Sequence, residues 1–140
     1  MAEVTFYQLP QDLHDESVQM QVICRVIQKI YQVTGSVGVL CEVTALKQLD
    51  DLLWTFSQGS FIPHAIAPSE EPVLLSDDIT QIPSDRVLVL AVAQLPPDLP
   101  DFSRIVDFIL PDSASVQHAR QRYRIFQNQG HTLTVHQLTA

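Results

Sequence analysis

The sequence predicts a single α/β domain with a mostly parallel central sheet and helices on both faces. Three observations carry this reading. Short aliphatic runs, among them Val37 to Cys41 and Val87 to Val92, are apolar throughout, as strands covered on both faces must be. Longer amphipathic stretches with helical spacing separate them, and strands alternating with helices favour parallel pairing. Finally, 140 residues at 46% hydrophobic content fit one globular domain, residues 1–140, large enough for a core that needs no staples.

Taken in order, Val4-Thr5-Phe6-Tyr7-Gln8-Leu9 is rich in β-branched and aromatic residues and stops at Pro10, a strand signal. From Ser17 to Val33, Met20, Ile23, Ile27 and Ile30 recur at helical spacing, and Gly35 ends that helix. After the Val37 to Cys41 strand, an acidic amphipathic helix is expected from Thr44 to about Phe56, with leucines on one side and Lys47, Asp50 and Asp51 on the other. The chain from Pro63 through Pro72 reads as loop, Val73 to Leu75 as a brief strand, and Ser76 to Ser84 as a polar connection. The run at Val87 is the most hydrophobic in the chain, and three prolines between Gln94 and Pro100 forbid a regular helix after it. Ile105 to Ile109 is another strand. Pro111-Asp112-Ser113 starts a final helix that Gly130 caps, and Thr132 to His136 alternates as a closing edge strand.

Charge and cysteine content exclude several function classes. At net charge −8, with eight Lys and Arg in all, strong direct nucleic-acid binding is not expected, although three cations cluster at 120–124. No apolar run nears the roughly 20 residues that span a bilayer, and the start has no signal-peptide pattern. The expectation is a cytoplasmic protein without membrane contact. Cys24 and Cys41 form no CxxC and read as buried hydrophobes, and the five histidines make no metal-ligand spacing, so no metal or cofactor is expected.

An enzyme or nucleotide-binding domain is the alternative reading for an α/β sheet. Phosphate sites in such sheets need a glycine-rich turn at a strand's carboxyl end. Gly35 and Gly38 stand at the wrong end, and Gly59 and Gly130 follow helices. The topology is therefore read as Rossmann-like without a nucleotide site. No GxSxG elbow occurs, adjacent carboxylates such as Asp50-Asp51 read as solvated faces, and no catalytic residue is assigned. His64 could serve as a general base, but no Ser or Cys nucleophile stands near it, and a structural or interface role fits better.

Two stretches remain as binding candidates. Trp54, the chain's single tryptophan, and Phe61 flank Ser57, Gln58, Gly59 and Ser60 and lead into Pro63-His64. Rings at a helix end and its following loop are either a corner of the core or an anchor for another protein. In the last helix, Val116, Ala119, Tyr123 and Phe126 form an apolar stripe. Arg120 and Arg124 stand one turn apart beside it, and Arg122, about 200° away from Arg120, is expected to meet solvent. Two guanidinium groups beside Tyr123 suit a carboxylate next to an apolar side chain. The plainer reading is a solvated basic face pairing with acids such as Asp112.

Leu-Trp-Thr-Phe-x-x-x-Ser-Phe-Ile-Pro-His at 53–64, with Thr5-Phe6-Tyr7, Val106-Asp107-Phe108 and Ala119-Arg120-Gln121-Arg122-Tyr123-Arg124, resembles the chi subunit of the bacterial DNA polymerase III clamp-loader assembly. The likeness covers essentially the whole chain. It implies a non-catalytic accessory subunit that bridges the psi subunit to the acidic C-terminal tail of single-stranded-DNA-binding protein. Carried over residue by residue, Arg120 would take the tail's terminal carboxylate, Ile109 and Tyr123 would line the pocket for its last Phe, and Arg124 would attract its Asp residues. Val116 stands where family members can carry Lys, which implies a weaker hold on the acidic part of the tail. Trp54, Phe61, Pro63 and His64 would face psi, or a helicase of the XPD/DinG type in its place.

Overall fold

The computed structural model describes residues 2–57, 59 and 61–138. Asp15 opens the first helix by accepting the Ser17 and Val18 N–H groups, and Gly35, at φ +82°, closes it. This helix, α1 (Glu16–Thr34), follows strand β1 (Glu3–Gln8) and leads into β2 (Val37–Cys41). A 3₁₀ turn at Val43–Ala45 then enters α2 (Leu46–Thr55), so the helix expected from Thr44 begins with one tighter turn. Beyond it come β3 (His64–Ile66), β4 (Val73–Ser76), β5 (Val87–Ala91), β6 (Arg104–Ile109), α3 (Ser113–Asn128) and β7 (Thr132–Gln137).

The seven strands lie in the order β3-β4-β2-β5-β6-β1-β7, and every pairing is parallel. The sheet is thus wholly parallel where the sequence predicted mostly so. One element differs from expectation. The sequence after Pro63 reads as loop, yet His64–Ile66 is an edge strand in register with Val73–Leu75. Three residues are too few to show an alternation, and their ladder partner is supplied from elsewhere in the chain.

Two cores separate the helices by face. Ile23, Cys24 and Ile27 of α1 and Leu49 and Leu53 of α2 pack with Val39, Leu75, Val89 and Val106 on one side. On the other, Phe126 of α3 joins Phe6, Leu88 and Ile105, together with Ile79, Ile82 and Phe102 from the connections. Gly38 is needed there: a Cβ at that position would collide with the Ile82 side chain. At the amino edge, one Arg86 nitrogen donates to the carbonyls of Pro72 (2.7 Å), Glu71 (3.0 Å) and Val37 (3.3 Å), tying the starts of β2 and β4 together.

Candidate protein-docking sites

Helix α3 starts at Asp112, whose carboxylate accepts the Ser115 N–H at 3.0 Å; the Ser115 hydroxyl, and then that N–H, hold it below the usual carboxylate range. That engagement makes Asp112 a cap and not a partner for the helix's cations. Among the described residues neither Arg120 nor Arg124 forms an ion pair, and both are exposed. The stripe below them is laid against the ends of β1 and β6. Phe6 and Tyr123 sit with ring centroids 5.5 Å apart. A cleft of about 190 Å³ results, lined by Phe6, Gln8, Ile109, Val116, Ala119, Arg120 and Tyr123.

This cleft unites four of the five residues singled out on this side of the molecule. Arg124 lies outside its lining, one turn further along the helix. Phe6 and Gln8 were not foreseen as part of it. Their membership depends on β1 lying beside β6, with Gln8 opposite Ile109, a non-local pairing that no local pattern announces.

Arg122 overturns its expectation of solvent exposure. It is buried, and its Nε and Nη2 donate to the two Asp107 carboxylate oxygens at 2.8 and 3.1 Å. Its other nitrogens reach the Ala93 carbonyl at 2.8 Å and the Phe108 carbonyl at 3.1 Å. The helix buries Ala119, Arg122 and Phe126, so the true stripe is turned toward Arg122. A readable sign was Asp107, which shares a strand face with Ile105 and Ile109 and so points at α3, where a buried carboxylate needs a cation. Burial pushes the Asp107 carboxyl upward, and the Arg122 guanidinium and the Phe108 N–H oppose that push.

The pair sits against a second cleft, of about 260 Å³, at the carboxyl ends of β2, β5 and β6, where ligands bind in many open α/β sheets. Its walls are mainly apolar, including Met20, Leu49, Leu90 and Phe108. Glu42 there accepts the Ala93 N–H at 3.2 Å. Cys41 also lines it, and burial pushes this thiol, like that of Cys24, up to about 12. None of the four glycines stands at the carboxyl end of a strand. Among the described residues no three His, Cys, Asp or Glu side chains gather as metal ligands, and no helix is long and apolar enough to cross a membrane.

At the other end of the sheet, the aromatic stretch divides into outer and inner residues. Phe61 is 71% exposed and Trp54 51%, with ring centroids 5.8 Å apart. Gln58 and Ser60, which Trp54 and Phe61 flank in the sequence, lie outside the described residues. Ile62 is core. Pro63 is half-buried and its carbonyl accepts the Val73 N–H at 3.1 Å, so it belongs to the sheet edge. His64 is buried beneath Trp54 at a ring separation of 4.5 Å. Its Nδ1 lies 2.6 Å from the Ile62 carbonyl, and its Nε2 lies 2.9 Å from the Asp50 carbonyl and 3.3 Å from the Asp50 carboxylate.

The fold and its sites thus define a small, wholly parallel α/β domain with an Arg120-bordered apolar cleft toward one end and a solvent-facing aromatic pair at the other. Comparison with known proteins gives the family: the chain belongs to the DNA polymerase III chi subunit (HolC) family, whose sequence model matches residues 1–134. It is 30% identical to DNA polymerase III subunit chi of Pseudomonas aeruginosa (strain PAO1), over 99% of this chain and 98% of that one. It is also 27% identical to subunit chi of Haemophilus influenzae (81% and 83% covered) and 26% identical to that of Escherichia coli K12 (95% and 96% covered).

Proposed function

We propose that this chain is a non-catalytic accessory subunit of the polymerase III holoenzyme that links psi to the C-terminal tail of single-stranded-DNA-binding protein. The observation that carries the reading is the α3 cleft. It places an exposed, unpaired guanidinium at the mouth of an apolar recess, which suits a peptide ending in an aromatic residue with a free carboxylate. Arg120 takes the carboxylate, Ile109, Val116 and Tyr123 receive the ring, and Arg124 attracts the acids upstream. The Trp54–Phe61 pair takes psi, and an XPD/DinG-type helicase would have to compete for the same rings.

Placement supports linkage. The aromatic pair lies by β3, and the cleft opens beside β1, five strands away. At about 4.8 Å per strand this is roughly 24 Å, enough for both partners to bind at once. A micromolar tail contact is worth about −8 kcal/mol. It becomes effective because one coated strand presents many tails.

The test is titration of a labelled peptide ending in Asp-Phe-Pro-Phe, with a free or an amidated terminus, against the wild type and Arg120→Ala. A charge-assisted hydrogen bond contributes about 1.5–3 kcal/mol, so either change alone should weaken binding about ten- to hundredfold. Making both changes should add little to one. Absence of wild-type binding at low salt would sink the tail assignment.

A further inference from the structure

His64 is buried, so its side chain cannot be a contact residue, and its surroundings assign it another task. Both ring nitrogens face acceptors only: the Ile62 carbonyl on one side, the Asp50 carbonyl and carboxylate on the other. A neutral imidazole carries one N–H and can donate to only one side, whereas the imidazolium donates to both. The two acceptors belong to the two segments that carry the exposed rings. Asp50 lies one turn before Trp54 on α2, and Ile62 follows Phe61. The Trp54 ring covers the imidazole at 4.5 Å, within the range of a cation–π contact.

We propose that His64 is a proton-dependent latch that positions Trp54 against Phe61. Protonated, it ties α2 to the loop on both sides and presents the two rings as a fixed pair. Neutral, it holds one side only, and the loop carrying Phe61 or the helix carrying Trp54 is released from the other. The charged group facing it from α2 is Asp50, and Lys47 and Asp51 on that helix pair with each other at 3.3 Å in solvent. The neighbouring strand β4 and residues 61–63 contribute no titratable side chain.

Trp54 is the single tryptophan of the chain, so its emission reports this pair without a label. The experiment follows Trp54 emission and the 15N resonances of the His64 ring from pH 5.5 to 8.5, in the wild type and in His64→Gln. Expected are two N–H groups on the ring at the acidic end, one at the alkaline end, a parallel change in emission, and a flat response from the variant. A wild-type ring with one N–H throughout, or the same emission transition in His64→Gln, would overturn the latch. The resonance titration needs no substitution and decides the matter even if the variant does not fold. The consequence for docking rests on the proposed use of these rings and is read separately. Psi should bind the wild type about two- to tenfold more weakly at pH 8 than at pH 6, the worth of one hydrogen bond, and the variant equally at both. Wild-type binding independent of pH would overturn the positioning role. Absence of psi binding at either pH would remove the docking assignment and leave the latch to be judged by the ring titration.

Discussion

Arg122 and Arg120, two residues apart on one helix, do opposite jobs, and the difference is one of solvation. Arg122 has surrendered water for a bidentate carboxylate and two carbonyls, so removing its side chain strands a buried Asp107 charge. Breaking a buried pair in this way costs about 3–5 kcal/mol, whereas replacing both partners by apolar residues of similar volume is often nearly neutral. Arg122→Ala should therefore lower unfolding stability by about that amount, and Arg122→Met with Asp107→Leu by clearly less, measured by urea denaturation. Equal losses would mean that the carbonyl contacts, common to both variants, dominate. Arg120→Ala, at an exposed position, should leave the same curve within about 0.5 kcal/mol of wild type. Helical spacing identified Arg120 correctly as lying beside the apolar stripe but misplaced the stripe's centre by treating every cation as a surface residue. The acid on β6 was the legible cue, because a carboxylate between two isoleucines on a covered face has to be neutralised.

At the scale of elements, the readable parts were those whose own residues decide their state. The helix start at Asp112, the helix end at Gly35 and the all-apolar strands follow from local chemistry, and the structure places them within a residue or two of expectation. Parts held by distant partners were not readable. β3 exists because β4 offers it a ladder, and the recess behind Arg120 exists because β1 inserts between β6 and β7. Gly38 belongs to this second kind. Its φ is ordinary, so the requirement for glycine comes from the Ile82 side chain resting on β2. Gly38→Ala should destabilise the domain by about 1–3 kcal/mol, the cost of overpacking a dense core. Trimming Ile82 in the same molecule should recover part of it. A melting temperature unchanged by Gly38→Ala would show that the connection at residues 79–82 yields freely.

For the whole molecule, the proposed linkage would use the sheet as a spacer. The aromatic pair lies at the β3 edge, and the cleft with Arg120 lies beside β1, one strand in from the β7 edge, with hydrogen-bonded parallel strands between them. A net charge of −8 opposes long-range approach of an acidic tail, so on the proposed reading capture would rest on short-range contacts at Arg120 and Arg124. Two sites roughly 24 Å apart, with no shared side chain, should behave additively, since coupling beyond about 7–10 Å is usually within 0.5 kcal/mol. The tail peptide should then bind with the same affinity, within about twofold, whether or not saturating psi is present. Phe61→Ala should weaken capture of psi without altering the peptide titration, and Arg120→Ala should weaken the peptide about ten- to hundredfold without altering psi. In a sedimentation experiment the wild type alone would carry psi and peptide together. Displacement of the peptide by psi would show that the partners share one surface, and a subunit that can hold only one of them at a time cannot work as a bridge.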